Sequence, residues 1–274
     1  LGILIQVGSG MQFERLRTAA REIESAQASG GEITPEQNIV IQVWEETKSY
    51  FVPTPDEVTQ EVEAYGGNFS EVMAYRTPET FMMQTQALFF MVFWRAMGLM
   101  LLGMALMKLG VFSGKRSTGF YIICMIAGYG IGVPLAYYCA NQLIANNFDF
   151  IYGFKIGYHF NYVAGVLVSL GHVGLVMLVF RSGLLGWLMR RLAAVGRMAL
   201  TNYLMHTIIC TTIFYGYGLG LFNRIERFGL MGFVLAIWIF QLIISPIWLR
   251  HFRFGPAEWL WRSLTYRRRQ PMRE

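Results

Sequence analysis

The sequence predicts an all-α fold, a polytopic transmembrane helical bundle. The chain is 54% hydrophobic and 15% charged, with a mean hydropathy of +0.40, whereas a soluble domain carries about 25% charged residues. Five apolar stretches, each of about twenty residues, follow one another after residue 85, and each is long enough to cross a bilayer. The predicted spans are Gln86–Met107, Gly119–Ala140, Tyr158–Phe180, Met198–Gly218 and Leu230–Leu249.

The segment before the spans is acidic and has a helical pattern. Residues 9–85 contain 13 Asp/Glu and 5 Lys/Arg. Apolar residues at helical spacing predict helices over Met11–Ala28 and Pro35–Phe51, and Thr54 is the expected N-cap of a third helix. Leu1–Val7 is apolar but too short to span a membrane, and we interpret it as the tail of an earlier membrane helix in a longer protein.

The distribution of Lys and Arg predicts the orientation of the spans. Loops 108–118 and 181–197 and the tail after residue 249 are rich in basic residues, whereas the alternate loops hold only Lys155, Arg224 and Arg227. The positive-inside rule then places the basic loops and the C-terminus in the cytoplasm of a bacterial inner (plasma) membrane, with the acidic segment outside. The predicted domains are 1–8 (helix tail), 9–85 (extracytoplasmic helical segment), 86–249 (membrane domain) and 250–274 (basic tail).

The basic residues favour membrane lipids over nucleic acid as a partner, because they lie in short loops between apolar spans. The tail segment FRFGPAEWLWRSLTY (residues 252–266) is too short and too charged to span. Gly255 and Pro256 predict a helix start, and Glu258 and Arg262 lie four residues apart on one face. We therefore expect an interfacial helix there. The sequence does not specify an oligomeric state.

Small residues at i, i+4 spacing occur twice. Gly128 with Gly132, and Gly216 with Gly220, each form a GxxxG pattern. Such a pattern allows two helix backbones to approach closely in a membrane. A nucleotide-binding glycine loop would need a preceding strand, which this region does not offer, so we expect helix packing.

Polar residues within the predicted spans are the candidates for function. Arg95 lies near the middle of the first span, where a charge costs roughly 3 kcal/mol and is functional by default. At 1.5 Å per residue, three of the other candidates lie about 12 Å, and Arg95 about 18 Å, from the cytoplasmic ends of their spans; the three are His172, His206 and Gln241. We predict a shared pocket open to the cytoplasm, in which a neutral histidine acts as a base and arginine holds an anion. The alternative is that these residues only hydrogen-bond helices together. The predicted pocket residues are Arg95, His172, Asn202, His206 and Gln241.

No metal or cofactor is predicted. The three cysteines, Cys124, Cys139 and Cys210, lie in or at the ends of predicted spans without metal-binding spacing, and we interpret them as small apolar residues. The sequence contains no P-loop, HExxH or GxSxG motif.

Several longer motifs resemble a known family. The segments GRMALTNYL (196–204), FYGYGLGLF (214–222) and FRFGPAEWLWRSLTY (252–266), with GLMLLGMALMKLG (98–110), resemble YeiB-like bacterial membrane proteins, whose C-terminal domain is the domain of unknown function 418. The resemblance implies a multi-span helical bundle and a distant relation to membrane acyltransferases. It also implies an N-terminal half with further spans. Family members often carry Gln at the position of His206, which argues against an essential base there.

Three alternative functions agree with these features of the sequence. The first is transfer of acyl groups from a cytoplasmic acyl donor to an envelope sugar or lipid, with the donor held by arginines such as Arg197, Arg250 and Arg253. The second is transport of a small anionic solute by Arg95, and the third is a non-catalytic scaffold. For the first, the predicted catalytic residues are His206, His172 and Arg95, and the predicted substrate-binding residues are Arg197, Asn202, Gln241, Glu258 and Arg262.

Overall fold

The computed structural model describes residues 2–273, without the side chains of residues 86, 90 and 91. Within this range the regular secondary structure is helical, which confirms the predicted all-α fold class. The helices are α1 (Gly2–Ala28), α2 (Pro35–Phe51), α3 (Pro55–Gly66), α4 (Phe69–Met82), α5 (Phe93–Lys108), α6 (Thr118–Ala145), α7 (Phe150–Tyr152), α8 (Tyr158–Ser182), α9 (Gly186–Arg197), α10 (Ala199–Phe214), α11 (Arg227–Trp248) and α12 (Pro256–Thr265). Two π-helical segments, Met83–Val92 and Gly153–Gly157, precede α5 and α8.

The helix starts of the acidic segment follow from capping residues. Thr34 forms a reciprocal capping box with Gln37 at the start of α2. The Thr54 hydroxyl accepts from the Glu57 N–H (3.3 Å), and the Glu57 carboxylate accepts from the Thr54 N–H (2.7 Å), which confirms Thr54 as the N-cap of α3. Helix α1 runs without a break through residue 9, where we placed a domain boundary. The domain boundaries themselves stay predictions.

The chain divides into two compact units. One contains residues 1–57 and 79–182, and the other contains residues 58–78 and 183–274. We call them unit 1 and unit 2, and each is described by itself.

In unit 1, α6 and α8 form the most extensive helix contact, and glycines make it possible. A Cβ atom on Gly132 would lie 2.9 Å from the Val168 nitrogen, and one on Gly174 would lie 2.6 Å from the Tyr121 carbonyl oxygen. A Cβ on Gly128 would collide with the backbone of Gly171. The predicted GxxxG packing of Gly128 and Gly132 is therefore confirmed.

Unit 1 also holds a buried aromatic cluster, which joins α1, α2 and the turn before α8. Phe51 stacks on Phe150 with ring centroids 4.5 Å apart, and Phe13 packs edge-on against Phe150. Two ion pairs at 2.6 Å, Arg17–Asp149 and Lys155–Glu14, flank the cluster. Its buried residues are Ala20, Trp44, Phe150, Ile151 and Phe154, and the partly buried residues packed against them are Phe13, Leu16, Phe51 and Tyr158.

Unit 2 differs from the sequence prediction in two places. The segment expected to be the loop 181–197 contains the amphipathic helix α9, which packs against α11. Helix α10 ends at Phe214, because Tyr215 is extended and the Gly216 N–H donates to the Tyr65 carbonyl (2.8 Å). Gly216 and Gly220 therefore lie in a turn, and the prediction that they form a helix-packing GxxxG motif is wrong.

Three helices of the described chain are long and apolar enough to cross a membrane: Thr118–Ala145, Phe150–Ser182 and Arg227–Trp248. The helical segments Phe69–Phe89 and Phe93–Lys108 form a bent pair, and they make a fourth span if the pair is counted as one span. The 16-residue α10 is apolar but rises only about 24 Å, less than the roughly 30 Å of a hydrocarbon core. The described residues thus contain three or four helices that are able to span a membrane and one short apolar helix, as in a membrane protein, where we had predicted five spans.

Candidate functional sites

The predicted pocket residues fall in both compact units. Arg95 and His172 belong to unit 1. Unit 2 holds Asn202, His206 and Gln241, together with the remaining predicted binding residues Arg197, Glu258 and Arg262. A single pocket that combines all of them stays a prediction.

In unit 1, Arg95 lines a cavity of about 370 Å³ between α1, α5 and α8. Its guanidinium carbon lies 4.4 Å from the centroid of the Tyr162 ring, well within the distance for a cation–π interaction. No carboxylate of the described residues forms an ion pair with Arg95. We call this space the Arg95 cavity; its lining is Gly2, Ile3, Gln6, Trp94, Arg95, Met97, Gly98, His159 and Tyr162.

Two polar groups of the Arg95 cavity were missed by sequence reasoning. His159 Nε2 is 2.7 Å from the Phe154 carbonyl oxygen, so this nitrogen carries the hydrogen and donates it. Trp94 Nε1 is buried and has no hydrogen-bond acceptor in the described part of the chain. His159 and Tyr162 are three residues apart at the start of the third predicted span, so they share one helix face. This spacing was the sequence signal that could have identified His159 as a candidate.

His172 is exposed within unit 1. Its Nδ1 lies 2.8 Å from the Val168 carbonyl of its own helix, and its ring packs edge-on against Tyr129. Neither contact brings it to the Arg95 cavity, whose lining does not include it. Its proposed catalytic role is untested by these contacts.

In unit 2, Asn202 and Gln241 join helices to one another. Asn202 is 4% exposed, and its Nδ2 donates to the Val195 carbonyl (3.1 Å) and the Ser245 hydroxyl (3.2 Å). Gln241 donates to the Asn202 carbonyl (3.2 Å). Buried polar groups need such hydrogen-bond partners. These contacts agree with the alternative interpretation, in which the polar residues hydrogen-bond helices to one another.

Glu258 and Arg262 do not form the i, i+4 pair that their spacing allows. Glu258 accepts from the Thr201 backbone N–H (3.0 Å) and from the Thr201 hydroxyl, in the first turn of α10. The Arg262 guanidinium lies 4.5 Å from the centroid of the Phe254 ring. The carboxylate is held by two donors at a helix N-terminus, where negative charge is stabilised.

Arginines converge at a second cavity, which lies entirely in unit 2. This space of about 400 Å³ brings Arg197, at the end of α9, together with Arg250 and Arg253 in the turn after α11. Trp248 shapes that turn, because its Nε1 donates to the Phe254 carbonyl (2.9 Å) and its ring stacks on Phe252. We call it the Arg197 cavity; its lining is Arg197, Leu249, Arg250, His251, Phe252, Arg253 and Phe254.

The three arginines of the Arg197 cavity are exposed, and none of them forms an ion pair within the described residues. Guanidinium groups bind phosphate and carboxylate through paired hydrogen bonds, so the cavity has the charge and the donors for a multiply charged anion. His206 lies half-buried on α10, and its ring has no hydrogen-bond partner among the residues described. No group of three or more His, Cys, Asp or Glu in this part of the chain could hold a metal ion.

Comparison with known proteins gives a family and three relatives. Residues 106–268 match the family model described as Protein of unknown function (DUF418). The chain is 38% identical over 194 residues to the Uncharacterized protein YeiB of Escherichia coli (strain K12). This match covers 65% of this chain and 46% of that protein. It is 52% identical over 80 residues to the Uncharacterized protein YxaH of Bacillus subtilis (strain 168), which is 29% of this chain and 20% of that protein.

A third relative, the Uncharacterized 39.9 kDa protein in amylase 3'region of Bacillus acidopullulyticus, is 37% identical over 114 residues, which is 42% of this chain and 32% of that protein. The chain therefore spans less than half the length of each of these relatives. No solved structure matches it.

Proposed function

The chain belongs to the DUF418 family of proteins of unknown function, and we propose that it is part of a bacterial inner-membrane protein that transfers acyl groups. In this proposal the donor is an anionic acyl thioester of the cytoplasm, and the acceptor is a hydroxyl group of an envelope sugar or lipid. The observation that carries the proposal is the Arg197 cavity, where three arginines without acidic partners in the described chain surround one space.

The distribution of basic residues supports a cytoplasmic position for this cavity. Arg197 ends a segment with four arginines, and Arg250 and Arg253 begin a tail that contains seven. Loops rich in Lys and Arg face the cytoplasm in inner-membrane proteins. Guanidinium groups suit the recognition of phosphate and carboxylate, so an arginine-lined cavity on that side has the charge that the proposed anionic donor requires.

The proposed reaction needs one base and one anion-binding site. The acceptor hydroxyl oxygen attacks the acyl carbonyl carbon, the carbon–sulfur bond breaks, and the hydroxyl proton passes through the base to the leaving thiolate. His206 is our candidate base, because its ring has no hydrogen-bond partner among the described residues; it lies on α10 and is not part of the lining of the Arg197 cavity. His172 and Arg95 lie in the other compact unit, and their part in this reaction stays a prediction.

Profiling of envelope lipids and glycans in a strain that lacks the gene tests this function. We expect one acylated species to disappear and to return with the wild-type gene. A variant with Arg197, Arg250 and Arg253 all changed to Gln should fail to restore it. The matched control changes Arg267, Arg268 and Arg269 to Gln, which removes the same charge outside the cavity and should restore the species. An unchanged acylation profile after deletion would refute acyl transfer.

His206→Gln separates the proposed base from the anion site. Glutamine keeps a hydrogen-bonding side chain of similar reach but cannot take up a proton at neutral pH. Loss of a catalytic base reduces a rate by roughly 10²–10⁴-fold. A full rate with His206→Gln would remove His206 from the mechanism and would leave the donor-binding role of the arginines intact.

Transport of a small anionic solute is the second candidate, and Arg95 is the observation that favours it. This arginine lines a cavity inside unit 1 and has only an aromatic partner there. Altered solute uptake in the deletion strain, with unchanged acylation and with failure of Arg95→Ala to complement, would support transport over acyl transfer.

A further inference from the structure

We propose that the Arg95 cavity is a binding site for a monoanion: one acidic group on a short apolar body, bound by the Arg95 guanidinium and the Trp94 Nε1–H. This site lies wholly in unit 1 and does not depend on acyl transfer at the Arg197 cavity. The ligand class proposed for the Arg95 cavity is the same whether the protein transfers acyl groups or transports a solute.

The first argument is the charge of Arg95. A guanidinium within an apolar span costs several kcal/mol unless a partner compensates its charge. Within the described chain its partner is the Tyr162 ring. A ring face attracts a cation, but it leaves the five guanidinium N–H donors without acceptors. An anion in the adjoining cavity would supply both the opposite charge and the missing acceptors.

The second argument is Trp94, which is independent of the charge. Its Nε1–H is buried without an acceptor in the described chain, and a buried donor that is left unsatisfied is destabilising. Trp94 and Arg95 are consecutive on α5 and line the same cavity. A turn of the Trp94 ring that brings its N–H from this buried position to the cavity surface would let one carboxylate or phosphodiester oxygen accept from Trp94 while another accepts from Arg95.

The lining limits the ligand to a single negative charge. Arg95 is the one permanently charged side chain of the Arg95 cavity within the described residues. His159 already donates its Nε2–H to the Phe154 carbonyl, so this N–H is not available to an anion in the cavity. A dianionic phosphate would therefore keep one negative charge without a permanently charged partner in the cavity.

The lining also fixes the body of the ligand. Ile3, Met97 and the glycines Gly2 and Gly98 are apolar, and they share the cavity with the rings of Trp94 and Tyr162. The volume of about 370 Å³ is at the lower end of small-molecule pockets, roughly 300–1,000 Å³. A short-chain carboxylic acid meets both limits, and so does the acidic group of an anionic phospholipid with the first part of its chain.

Equilibrium binding of radiolabelled hexanoate to the full-length protein in phosphatidylcholine nanodiscs tests the site. We expect saturable binding, no competition by hexan-1-ol, and a loss of roughly tenfold or more in affinity with Arg95→Gln, because a charge-assisted hydrogen bond is lost. Trp94→Phe keeps the ring but removes the N–H, and it should weaken binding roughly threefold to tenfold. The matched control is Arg15→Gln, on the exposed side of α1, which should bind like the wild type.

The lipid composition of the nanodiscs distinguishes the two sources of the anion. If phosphatidylglycerol nanodiscs weaken hexanoate binding in the wild type but not in Arg95→Gln, the natural occupant is an anionic lipid. Equal binding in both lipids assigns the site to a free acid. Absence of saturable hexanoate binding in phosphatidylcholine, or equal affinity of wild type, Arg95→Gln and Trp94→Phe, would overturn the proposal.

Discussion

Glu258 accepts hydrogen bonds from both the backbone N–H and the hydroxyl of Thr201, 57 residues earlier in the chain. The Thr201 hydroxyl in turn accepts from the Ala257 N–H (3.1 Å). These three bonds hold the start of α12 against the start of α10. They also place a negative charge at the N-terminus of α10, where the helix dipole stabilises it.

We expect Glu258→Gln to destabilise the protein by about 1–2 kcal/mol, since it removes a charge from two hydrogen bonds and from a helix N-terminus. The apparent melting temperature of the purified protein in detergent measures this. The matched control is Glu226→Gln, because Glu226 is the N-cap of α11 but makes no capping hydrogen bond with its side chain. An equal shift for both variants would show that the contact to Thr201 contributes nothing.

Gly128→Ala should disrupt the contact between α6 and α8. The new methyl group would collide with the backbone of Gly171, which has no flexible side chain that could move aside. Overpacking of this kind costs about 1–3 kcal/mol. Gly130→Ala, two residues along the same helix, meets no atom within 4 Å and should leave the melting temperature unchanged or slightly raised. If both variants melt at the wild-type temperature, α6 and α8 do not approach each other closely at Gly128.

Asn202 and Ser245 should show energetic coupling. Asn202→Ala leaves the Ser245 hydroxyl, which is 0% exposed, without its side-chain partner and should cost about 1–3 kcal/mol. Adding Ser245→Ala removes the orphaned hydroxyl, so the double variant should lose less stability than the two single losses predict. Thermal unfolding of the four proteins of the cycle measures the coupling. Strict additivity would mean that the two side chains do not interact.

Phe150→Ala should open the aromatic cluster of unit 1. Phe150 is 8% exposed and contacts Phe13, Trp44 and Phe51, and truncation of a buried phenylalanine costs about 3–5 kcal/mol. The near-UV circular dichroism of the aromatic rings and the melting temperature should both fall. Phe148→Ala removes a side chain that is 69% exposed and serves as the control. Similar losses for both variants would contradict the burial of Phe150.

The proposed orientation is tested by cysteine labelling in spheroplasts. In a background with the three native cysteines changed to Ala, we expect Ser113→Cys, before α6, to react with a membrane-impermeant maleimide only after permeabilisation. Asn146→Cys, just after α6, should react in intact spheroplasts, because the two positions lie at opposite ends of a spanning helix. The reverse pattern would invert the topology and would place the Arg197 cavity outside the cytoplasm.

The all-α fold class, the apolar membrane helices and the positions of most helices were predictable from the sequence. Pro35–Phe51 is observed with the predicted bounds, and α6, α8 and α11 overlap the predicted spans. Composition, capping residues and apolar length act locally along the chain, so they can be read without a fold. The end of α10 was not predictable in this way, because it depends on a hydrogen bond from Gly216 to Tyr65, far away in the sequence.

The partners of the polar residues depend on how the helices pack, and they were not predictable from the sequence. Arg95 was recognisable from its depth in an apolar span, but its contact with Tyr162 requires α5 and α8 to present particular faces to each other. Likewise, Arg197, Arg250 and Arg253 share a cavity only because the turn after α11 folds back beside the end of α9. The sequence gives the spacing of residues on one helix, whereas the rotation and packing of helices set the distances between side chains on different ones.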